Sequence, residues 1–525
     1  MGMIENPILP GFNPDPNILR VGSDYYIAVS SFEWLPGIRI YHSNDLADWQ
    51  HLTDILHDQI DLRGNPADCS IWAPQISYDN GTFYCVFTNV HNTTRPFKDC
   101  RNYLMTAPSI TGPWSKPEYL NSSGFDPSLF HDQDGRKWLL NALWDYRKAI
   151  PNKSVGIVMQ EYKENEGLIG PITQIFTGTE LAKTEAPHLY RHQDYYYLLT
   201  AEGGTGTGHS VTVCRSKGIT GPYEVDPNYP MMTANGRSDS PFQCTGHGSL
   251  VQTEDNRWIM SYLMTRPVKG AAILGRETAL QEVVWDDAGW LRLKNGDTIA
   301  DRWLKLPVAN NTVKEATQFI DSFDQKLDPE WNGRRLVPNE QWCCLSTRPG
   351  YLRLIAGESL QSNFDNHLLA IRQKDFYLEA ETLMEYTPSH FNQMAGLVLF
   401  LNEQNYLYLF VTHDENKGIV LRMMKCDTGQ FTLLDVCAEI KDQPIHLKVA
   451  VAADQAQFSW RQEEEWQVLS TQPILFLSGG FTGNFIGICA QDLNQFAGSY
   501  ADFAYFRYQT ESQSIDDSMN IKREG

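Results

Sequence analysis

The sequence predicts an all-β protein in which a five-bladed β-propeller is followed by a β-sandwich of jelly-roll or concanavalin-like type. Two observations predict the propeller: five hairpin-like segments recur at a nearly constant spacing, and two of the turns that follow them are near copies. A third observation predicts the sandwich, because from residue 319 the repeats give way to segments in which apolar and polar residues alternate with period two. We assign 1–305 to the propeller, 306–318 to a linker and 319–525 to the sandwich.

Each repeated segment consists of a polar turn followed by an aromatic-rich strand. The segments begin at residues 21, 78, 131, 191 and 252, so their starts differ by 57, 53, 60 and 61 residues. Two of them contain Asn80-Gly81 and Asp134-Gly135, dipeptides that favour the type I′ turn of a β-hairpin. This spacing is typical of small antiparallel sheets repeated around an axis. The alternative is a set of unrelated hairpins in a sandwich.

Charge and composition exclude several classes of function. The 525 residues include 43 basic and 64 acidic side chains, a formal net charge of −21. Such a surface repels nucleic-acid phosphates and anionic lipids, so we expect neither nucleic acid nor membrane as a partner. No secretory signal is visible at the start of the sequence. The ten cysteines lack regular spacing and are typical of free thiols in a reducing compartment, so we expect a cytoplasmic protein.

The short strand before each hairpin turn carries the candidate catalytic residues. In a propeller the innermost strand of every blade lines the central channel, so one position per blade points towards the axis. Aligned on the turn that follows, the five strands open with Asp15, Trp72, Asp126, Glu185 and His247. We therefore expect three carboxyls, one indole and one imidazole to converge on one end of the channel.

Three acids in register point to chemistry more strongly than one acid does. A single acid beside proline at a strand start is most often a turn residue that accepts backbone N–H groups. Carboxylates crowded near a poorly solvated axis raise one another's pKa, which is costly unless the spread of pKa values serves acid and base catalysis. We therefore predict that Asp15, Asp126 and Glu185 are catalytic.

Seven motifs in the sequence carry a resemblance to a known family. They are Gly11-Phe-Asn-Pro-Asp-Pro16, Ser31-Phe-Glu-Trp-Leu-Pro-Gly37, Ile71-Trp-Ala-Pro-Gln75, Phe125-Asp-Pro-Ser128, Thr184-Glu-Ala-Pro-His188, the glycine-rich stretch 202–209 and Leu274-Gly-Arg-Glu-Thr278. In these motifs, and over nearly its whole length, the chain resembles glycoside hydrolase family 43, and more narrowly its β-xylosidases with a C-terminal β-sandwich.

The resemblance implies an inverting glycoside hydrolase and a role for each acid. Asp15 would be the general base that activates water on the face of the sugar opposite the leaving group. Glu185 would be the general acid that protonates the glycosidic oxygen. Asp126 would orient Glu185 and keep its pKa high, as a neighbouring negative charge does.

The resemblance also implies a narrow sugar pocket. We expect substrate contacts from Phe32, Trp72, Ala73, Thr205, Arg276 and His247, and from Phe496 or Tyr500 in an aromatic-bearing loop that the sandwich lends to the pocket rim. Arg276 could instead form an ordinary surface salt bridge with Glu277 or Glu282. His247 is either a core histidine or a residue that holds water or Ca²⁺; no cofactor is expected to be required.

Three functions share this pattern to different degrees. The first is an exo-acting enzyme that releases D-xylose from the non-reducing ends of β-1,4-xylo-oligosaccharides, with α-L-arabinofuranosidase as a possible side activity. The second, an arabinofuranosidase or arabinanase, uses the same acids. The third, a carbohydrate-binding propeller without catalysis, has no reason to keep all three acids. By family analogy we expect a homo-oligomer, a dimer or a tetramer.

Overall fold

The described parts of the chain consist of β-strands, turns and loops. The structure is a computed structural model and describes residues 2–306, 316–494 and 498–510. No helix occurs in these ranges, so none of the described segments is a helix that could cross a membrane. The predicted all-β class is confirmed.

The chain divides into two compact units. Their bounds are Met1–Pro267 with Gly275–Thr312 for the first unit, and Val268–Leu274 with Val313–Gly525 for the second. This differs from the continuous range 1–305 expected for the first domain, because Ile273 is buried in the hydrophobic core of the second unit. Most of the expected linker, 306–318, lies outside the described residues.

The first unit is the predicted five-bladed propeller, in which each blade is an antiparallel sheet of strands that follow one another in the chain. The strands of blades 1 and 2 are Asn17–Val21, Asp24–Val29, Gly37–Ser43 and Gln50–Leu56, then Ser70–Asp79, Thr82–Asn92, Asp99–Ala107 and Glu118–Asn121. Those of blade 3 are Gly124–His131, Lys137–Trp144, Ser154–Lys163 and Gly167–Phe176. Those of blades 4 and 5 are Glu185–His192, Tyr195–Glu202, Ser210–Ser216 and Glu224–Val225, with Met232–Thr233 as an extra strand, then Gln243–Gln252, Trp258–Thr265, Glu277–Trp285 and Leu291–Leu293. A two-residue strand also occurs at Trp34–Leu35.

The hairpin that opens each blade brings two chain segments to the same end of the propeller. The start of the first strand pairs with the end of the second, as Ser70 does with Val90 and Glu185 with Ala201. The loops between second and third strands therefore gather where the inner strands begin. In blades 1 to 4 these loops are 30–36, 93–98, 145–153 and 203–209. Three of the seven sequence motifs begin inner strands at this end, and two occupy these loops.

A ring of polar side chains joins the inner strands of neighbouring blades. Four of these bonds run from a backbone N–H to a side-chain oxygen of the blade before it, and one runs from a hydroxyl to a carbonyl. The bonds are Ile76 N to Asn17 Oδ1 (2.9 Å), Leu129 N to Gln75 Oε1 (3.0 Å), Ser128 Oγ to the Pro187 carbonyl (2.5 Å), Leu250 N to the Tyr190 hydroxyl (2.8 Å) and Ile18 N to Ser249 Oγ (3.3 Å). These bonds provide partners for backbone groups on the inner edge strand of each blade, beyond which the blade has no further strand.

The N-terminal segment connects the last blade to the first. Gly2–Glu5 pairs antiparallel with Trp303–Leu306, at the other end of the unit's sequence. The amide side chain of buried Asn6 then bonds both backbone groups of Leu280 in blade 5, donating to its carbonyl at 2.8 Å and accepting from its N–H at 2.9 Å. Because no blade contains strands from both ends of the propeller sequence, these contacts close the ring.

The second unit consists of two packed antiparallel sheets, the predicted sandwich. One sheet contains Cys343–Cys344, Leu352–Ile355, Tyr500–Thr510, Tyr377–Glu385, Ile445–Ala452, Gln455–Arg461 and Gln467–Pro473, with Gln318–Asp321 paired to Tyr500–Thr510. The other contains Gln430–Glu439, Gly418–Asp427, Asn405–Asp414, Gln393–Asn402, Phe485–Asp492, Leu368–Arg372 and Asn332–Arg334. Leu397 and Leu409 of the second sheet share a fully buried core with Leu447 and Phe503 of the first.

Replacing Asn6 by alanine should destabilise the propeller. The change leaves the N–H and carbonyl of Leu280 buried without partners, and each such loss costs about 1–3 kcal/mol. We expect the midpoint of thermal unfolding to fall in calorimetry, whereas Asn235→Ala, at an exposed asparagine, should leave it within experimental error. An Asn6→Ala midpoint equal to that of the wild type would contradict this account of ring closure.

Candidate active site

Asp15, Ala73, Asp126, Ala186 and His247 occupy equivalent positions in the five blades. Their backbones all lie in the left-handed region, with φ of 55°, 39°, 54°, 51° and 54° in that order. Residues other than glycine seldom adopt this conformation, so its repetition at the start of each inner strand identifies the equivalent residues. Two of the three predicted acids and the predicted histidine therefore share one structural position.

The structure corrects the expected alignment in two blades. The sequence pattern places Trp72 and Glu185 in register with Asp15, but Ala73 and Ala186 hold that position and the predicted residues come one step earlier. The first hairpins of blades 2 to 5 share a register irregularity, which begins at Trp72, Phe125, Glu185 and Gly246. Trp72 and Glu185 therefore correspond to Phe125 and Gly246, not to Asp126 and His247. Such a bulge re-aims side chains relative to regular strand alternation. The prediction that one equivalent position supplies all five axial side chains is therefore wrong.

The inner strands of blades 2 to 5 surround a narrow cavity on the propeller axis. Two of the predicted site residues besides Ala73 line it, together with prolines of three blades and a second histidine. The lining residues are Ala73, Pro74, Asp126, Pro127, Ala186, Pro187, His188 and His247.

Asp15 is buried and surrounded by groups that stabilise its ionised form. Its carboxylate accepts hydrogen bonds from the guanidinium of Arg276 at 2.5 Å and from the Ser30 hydroxyl at 2.6 Å, and His247 Nδ1 lies 3.5 Å away. Burial raises the pKa of Asp15, but the charge of Arg276, with smaller contributions from His247 and Ser30, outweighs burial and lowers that pKa below its ordinary value. Asp15 is therefore a carboxylate at neutral pH.

The motif around Asp15 and the motif around Arg276 are held together by backbone hydrogen bonds. Asn13 N donates to the Arg276 carbonyl at 3.0 Å, and the Thr278 hydroxyl donates to the Asn13 carbonyl at 2.6 Å. Gly11 N donates to Glu277, which also pairs with Arg266 at 2.7 Å. The alternative in which Arg276 pairs with Glu277 or Glu282 at the surface is wrong, because Arg276 is buried against Asp15.

Asp126 and Glu185 form a second, differently tuned pair of acids. Asp126 Oδ2 accepts a hydrogen bond from Ala186 N at 3.0 Å, so the carboxylate of Asp126 contacts the residue directly after Glu185. Its own backbone N–H donates to the Thr88 hydroxyl at 3.2 Å. These bonds hold the start of the blade 3 inner strand against blades 2 and 4.

Burial raises the pKa of both acids in this pair. For Asp126 the neighbouring charges of Glu185 and Asp15 raise the pKa further. For Glu185 burial and the charge of Asp15 raise the pKa to about 7, although Lys98 and Arg276 oppose them. The pair therefore retains a proton near neutrality, while Asp15 does not.

Lys98 belongs to the site although the sequence analysis did not select it. Its ammonium group lies 3.9 Å from the ring centroid of Phe125, 4.5 Å from that of Trp144 and 4.8 Å from that of Trp72. The position of Lys98 in the chain could have identified it, because Lys98 ends the loop 93–98. This loop lies at the end of the propeller where the inner strands begin.

The expected aromatic residues form one packed group beside Asp15. The rings of Phe32 and Trp72 lie 5.8 Å apart, and the guanidinium of Arg276 lies 5.5 Å from the Phe32 ring. Phe32 also exchanges backbone hydrogen bonds with Ile71, so loop 30–36 is tied to the inner strand of blade 2. Both rings are almost fully buried, and their contact with a sugar stays a prediction.

His247 lies beside Asp15, in a cluster of buried, neutral imidazoles. Burial lowers the pKa of His188 and of His209 to about 3 and also lowers the pKa of His247. Among the described residues no three His, Cys, Asp or Glu side chains are arranged to hold a metal ion. The oxygen-rich donor set that Ca²⁺ requires does not fit the residues around His247, since the nearest carboxylate already binds Arg276.

The glycine-rich loop 203–209 of blade 4 folds tightly on itself and on blade 5. A Cβ on Gly203 would lie 1.9 Å from the Gly208 carbonyl oxygen, and a Cβ on Gly246 would meet the His209 ring at 2.1 Å. His209 Nδ1 is 2.9 Å from the Gly204 carbonyl. These glycines therefore serve close approach of the chain. Thr205 is partly exposed in this loop, and its contact with substrate stays a prediction.

The two aromatic candidates from the sandwich remain untested. Phe496 lies outside the described residues. Tyr500 opens the strand Tyr500–Thr510, is exposed, and has the guanidinium of Arg353 3.7 Å from its ring centroid. A contribution of either ring to the sugar pocket stays a prediction.

Comparisons with known proteins agree with this geometry. Residues 4–291 match the family described as glycosyl hydrolases family 43, and residues 320–509 match the β-xylosidase C-terminal concanavalin A-like domain. The chain is 41% identical to xylosidase/arabinosidase 43B of Humicola insolens, over 98% of this chain and 99% of that protein. It is also 41% identical to a β-xylosidase of Bacillus subtilis, over 96% of this chain and 99% of that protein.

A solved structure extends the similarity to three dimensions. The crystal structure of xylan β-1,4-xylosidase from Bacillus halodurans C-125 superposes with a TM-score of 0.93 at 45% identity, covering 97% of this chain and all of the other. Both matched regions together account for most of the chain, and both correspond to a unit of the fold. The protein therefore belongs to glycosyl hydrolases family 43.

Proposed function

We propose that the protein is an exo-acting, inverting β-xylosidase that releases D-xylose from the non-reducing ends of β-1,4-xylo-oligosaccharides. The observation that carries the proposal is the division of three clustered acids into an ionised Asp15 and a pair, Asp126 and Glu185, that keeps a proton near neutrality. Glycoside hydrolysis by inversion needs one carboxylate and one carboxylic acid at the same time. The names of the relatives support xylose as the sugar.

Asp15 is the proposed general base. Arg276 and the Ser30 hydroxyl keep its carboxylate ionised, so it can accept a proton from the water that attacks the anomeric carbon. As that proton is transferred, the water oxygen forms its bond to the anomeric carbon on the face opposite the leaving group. The configuration at that carbon is therefore inverted.

Glu185 is the proposed general acid. Its pKa of about 7 keeps it protonated up to neutral pH, and its proton passes to the glycosidic oxygen as the bond to the anomeric carbon breaks. Asp126 is the proposed positioning residue, because its carboxylate accepts the Ala186 N–H and so holds the backbone next to Glu185.

The proposed sugar contacts surround these acids. Phe32 and Trp72 would wall the pocket, and Arg276, Ala73, Thr205, His247 and an aromatic side chain of the sandwich would bind hydroxyls or stack on the ring. A required cofactor is not part of the proposal. A cytoplasmic location and a homo-oligomeric state, dimer or tetramer, stay predictions.

A second activity, release of α-L-arabinofuranose, has one specific support. The Humicola insolens relative is named for both xylosidase and arabinosidase activity. The same acids serve either sugar, so comparing nitrophenyl xyloside with nitrophenyl arabinofuranoside decides which activity is the main one. We expect the larger kcat/KM with the xyloside.

Variants of the two catalytic acids should respond differently to the leaving group. Glu185→Ala removes the proton donor, so kcat/KM on xylobiose should fall by about 10²–10⁴-fold, and much less on dinitrophenyl xyloside, whose leaving group needs no proton. For Asp15→Ala, kcat/KM should fall on both substrates, because the attacking water must still be activated. Equal rates of wild type and Glu185→Ala on xylobiose would exclude the mechanism.

The pH profile should reflect the two differently tuned acids. The active form needs Glu185 protonated, so kcat/KM should decline as the pH rises through about 7. It also needs Asp15 ionised, so the acidic limb of the profile should follow the lowered pKa of Asp15. Arg276→Met should move the acidic limb to higher pH, since it removes the charge that favours ionised Asp15. An acidic limb that stays in place would contradict this role of Arg276.

The stereochemistry of the product tests inversion directly. Proton NMR during hydrolysis of a β-linked substrate should show α-xylose before the β-anomer appears by mutarotation. β-Xylose as the first-formed anomer would require a retaining mechanism and a different role for Asp15.

A further inference from the structure

Lys98 is held in the site by aromatic rings from blades 2 and 3. Its ammonium group lies within 4.8 Å of the ring centroids of Phe125, Trp144 and Trp72. Trp144 Nε1 donates a hydrogen bond to the Pro96 carbonyl at 3.0 Å, which ties loop 93–98 to the end of the blade 3 hairpin. Aromatic faces attract a cation, so this arrangement fixes the position of the charge.

The residues around Lys98 place its charge next to the acid pair. Phe125 directly precedes Asp126 in the chain, and the carboxylates of Glu185 and Asp126 favour the protonated form of Lys98. The other groups that Lys98 faces are the buried thiols Cys100 and Cys69. Burial lowers the pKa of Lys98, but these acids oppose that change.

With one proton on the Asp126–Glu185 pair, the charges of the site balance when Lys98 is counted. Asp15 and Arg276 form one neutral ion pair. The state of the Asp126–Glu185 pair that holds one proton carries one negative charge, and the buried imidazoles are neutral. Buried charges are costly without a partner, and Lys98 lowers the pKa of Glu185 more than Arg276 does. Lys183, which also acts on Glu185, has an exposed side chain.

We propose that Lys98 is a positioning residue that keeps one negative charge on the Asp126–Glu185 pair, so that the pair holds a single proton for the leaving group. The proposal rests on the proposed function and adds a residue to it. Without the ammonium, the pair would hold its protons more tightly: Glu185 would become a poorer acid, and Asp126 would lose the charge with which it accepts the Ala186 N–H.

The test is the pH dependence of kcat/KM for nitrophenyl xyloside in matched variants. Lys98→Met fills the same space without charge, Lys98→Gln is a second neutral variant, and Lys98→Arg retains the charge. Lys116→Met, at an exposed lysine of the same blade, is the control. Thermal unfolding midpoints show whether each variant is folded.

The neutral variants should move the basic limb of the profile to higher pH by roughly one unit, since removing a nearby opposite charge raises a carboxyl pKa. Lys98→Arg and Lys116→Met should keep the wild-type limb. A structural role alone would lower activity without moving the limb, and Lys98→Arg would not restore it.

Three results would overturn the proposal. They are a basic limb that stays in place in folded Lys98→Met, a limb that moves equally in Lys98→Arg, and neutral variants that fail to fold while Lys98→Arg folds, which would make Lys98 a cation needed for stability. The proposed function fails differently: the wild type would not cleave the xyloside, or Glu185→Ala would cleave xylobiose as fast as the wild type.

Discussion

Closure of the propeller ring by the N-terminal segment is the constraint on which the rest of the site depends. Each blade is built from consecutive strands, so the ring is closed by residues 2–13. Of these, residues 2–5 pair with Trp303–Leu306, and Asn6, Leu9 and Asn13 bond to residues of blade 5 or to Arg276 just before its third strand. The same contacts place Asp15 beside the guanidinium of Arg276. They run from Asn6 to Leu280 and from Asn13 to Arg276 and Thr278. Folding stability and the ionisation of the candidate base therefore rest on one set of hydrogen bonds.

The two halves of the site differ in the cation that affects their pKa values most. Arg276, just before the third strand of blade 5, lowers the pKa of Asp15, whereas the acids of blades 3 and 4 sit against the cation from the blade 2 loop. Arg276 keeps Asp15 ionised, whereas burial leaves a proton on the Asp126–Glu185 pair although Lys98 opposes it. This difference is the condition for paired acid and base catalysis.

Much of this arrangement could be predicted because repetition leaves a pattern in the chain. The hairpin turns, the inner strands and the acids Asp15 and Asp126 recur at fixed places relative to one another. Trp72 and Glu185 lie one residue before the position that Asp15 and Asp126 share, because the distance from this position to the following turn differs between blades. Aligning on the proline that follows Ala73 and Ala186 would have found it. Lys98 was missed because its partners are rings distant in sequence.

The sequence by itself determined the fold class and the number of blades, and it selected the three acids proposed as catalytic, since these follow from local turn chemistry and from spacing. The tertiary structure alone decided which acid is ionised and which keeps its proton. That choice depends on burial and on the nearness of Arg276 and Lys98, which are 261 and 83 positions from Asp15. Electrostatic interactions act over distances in space, and only the closed ring brings these charges together.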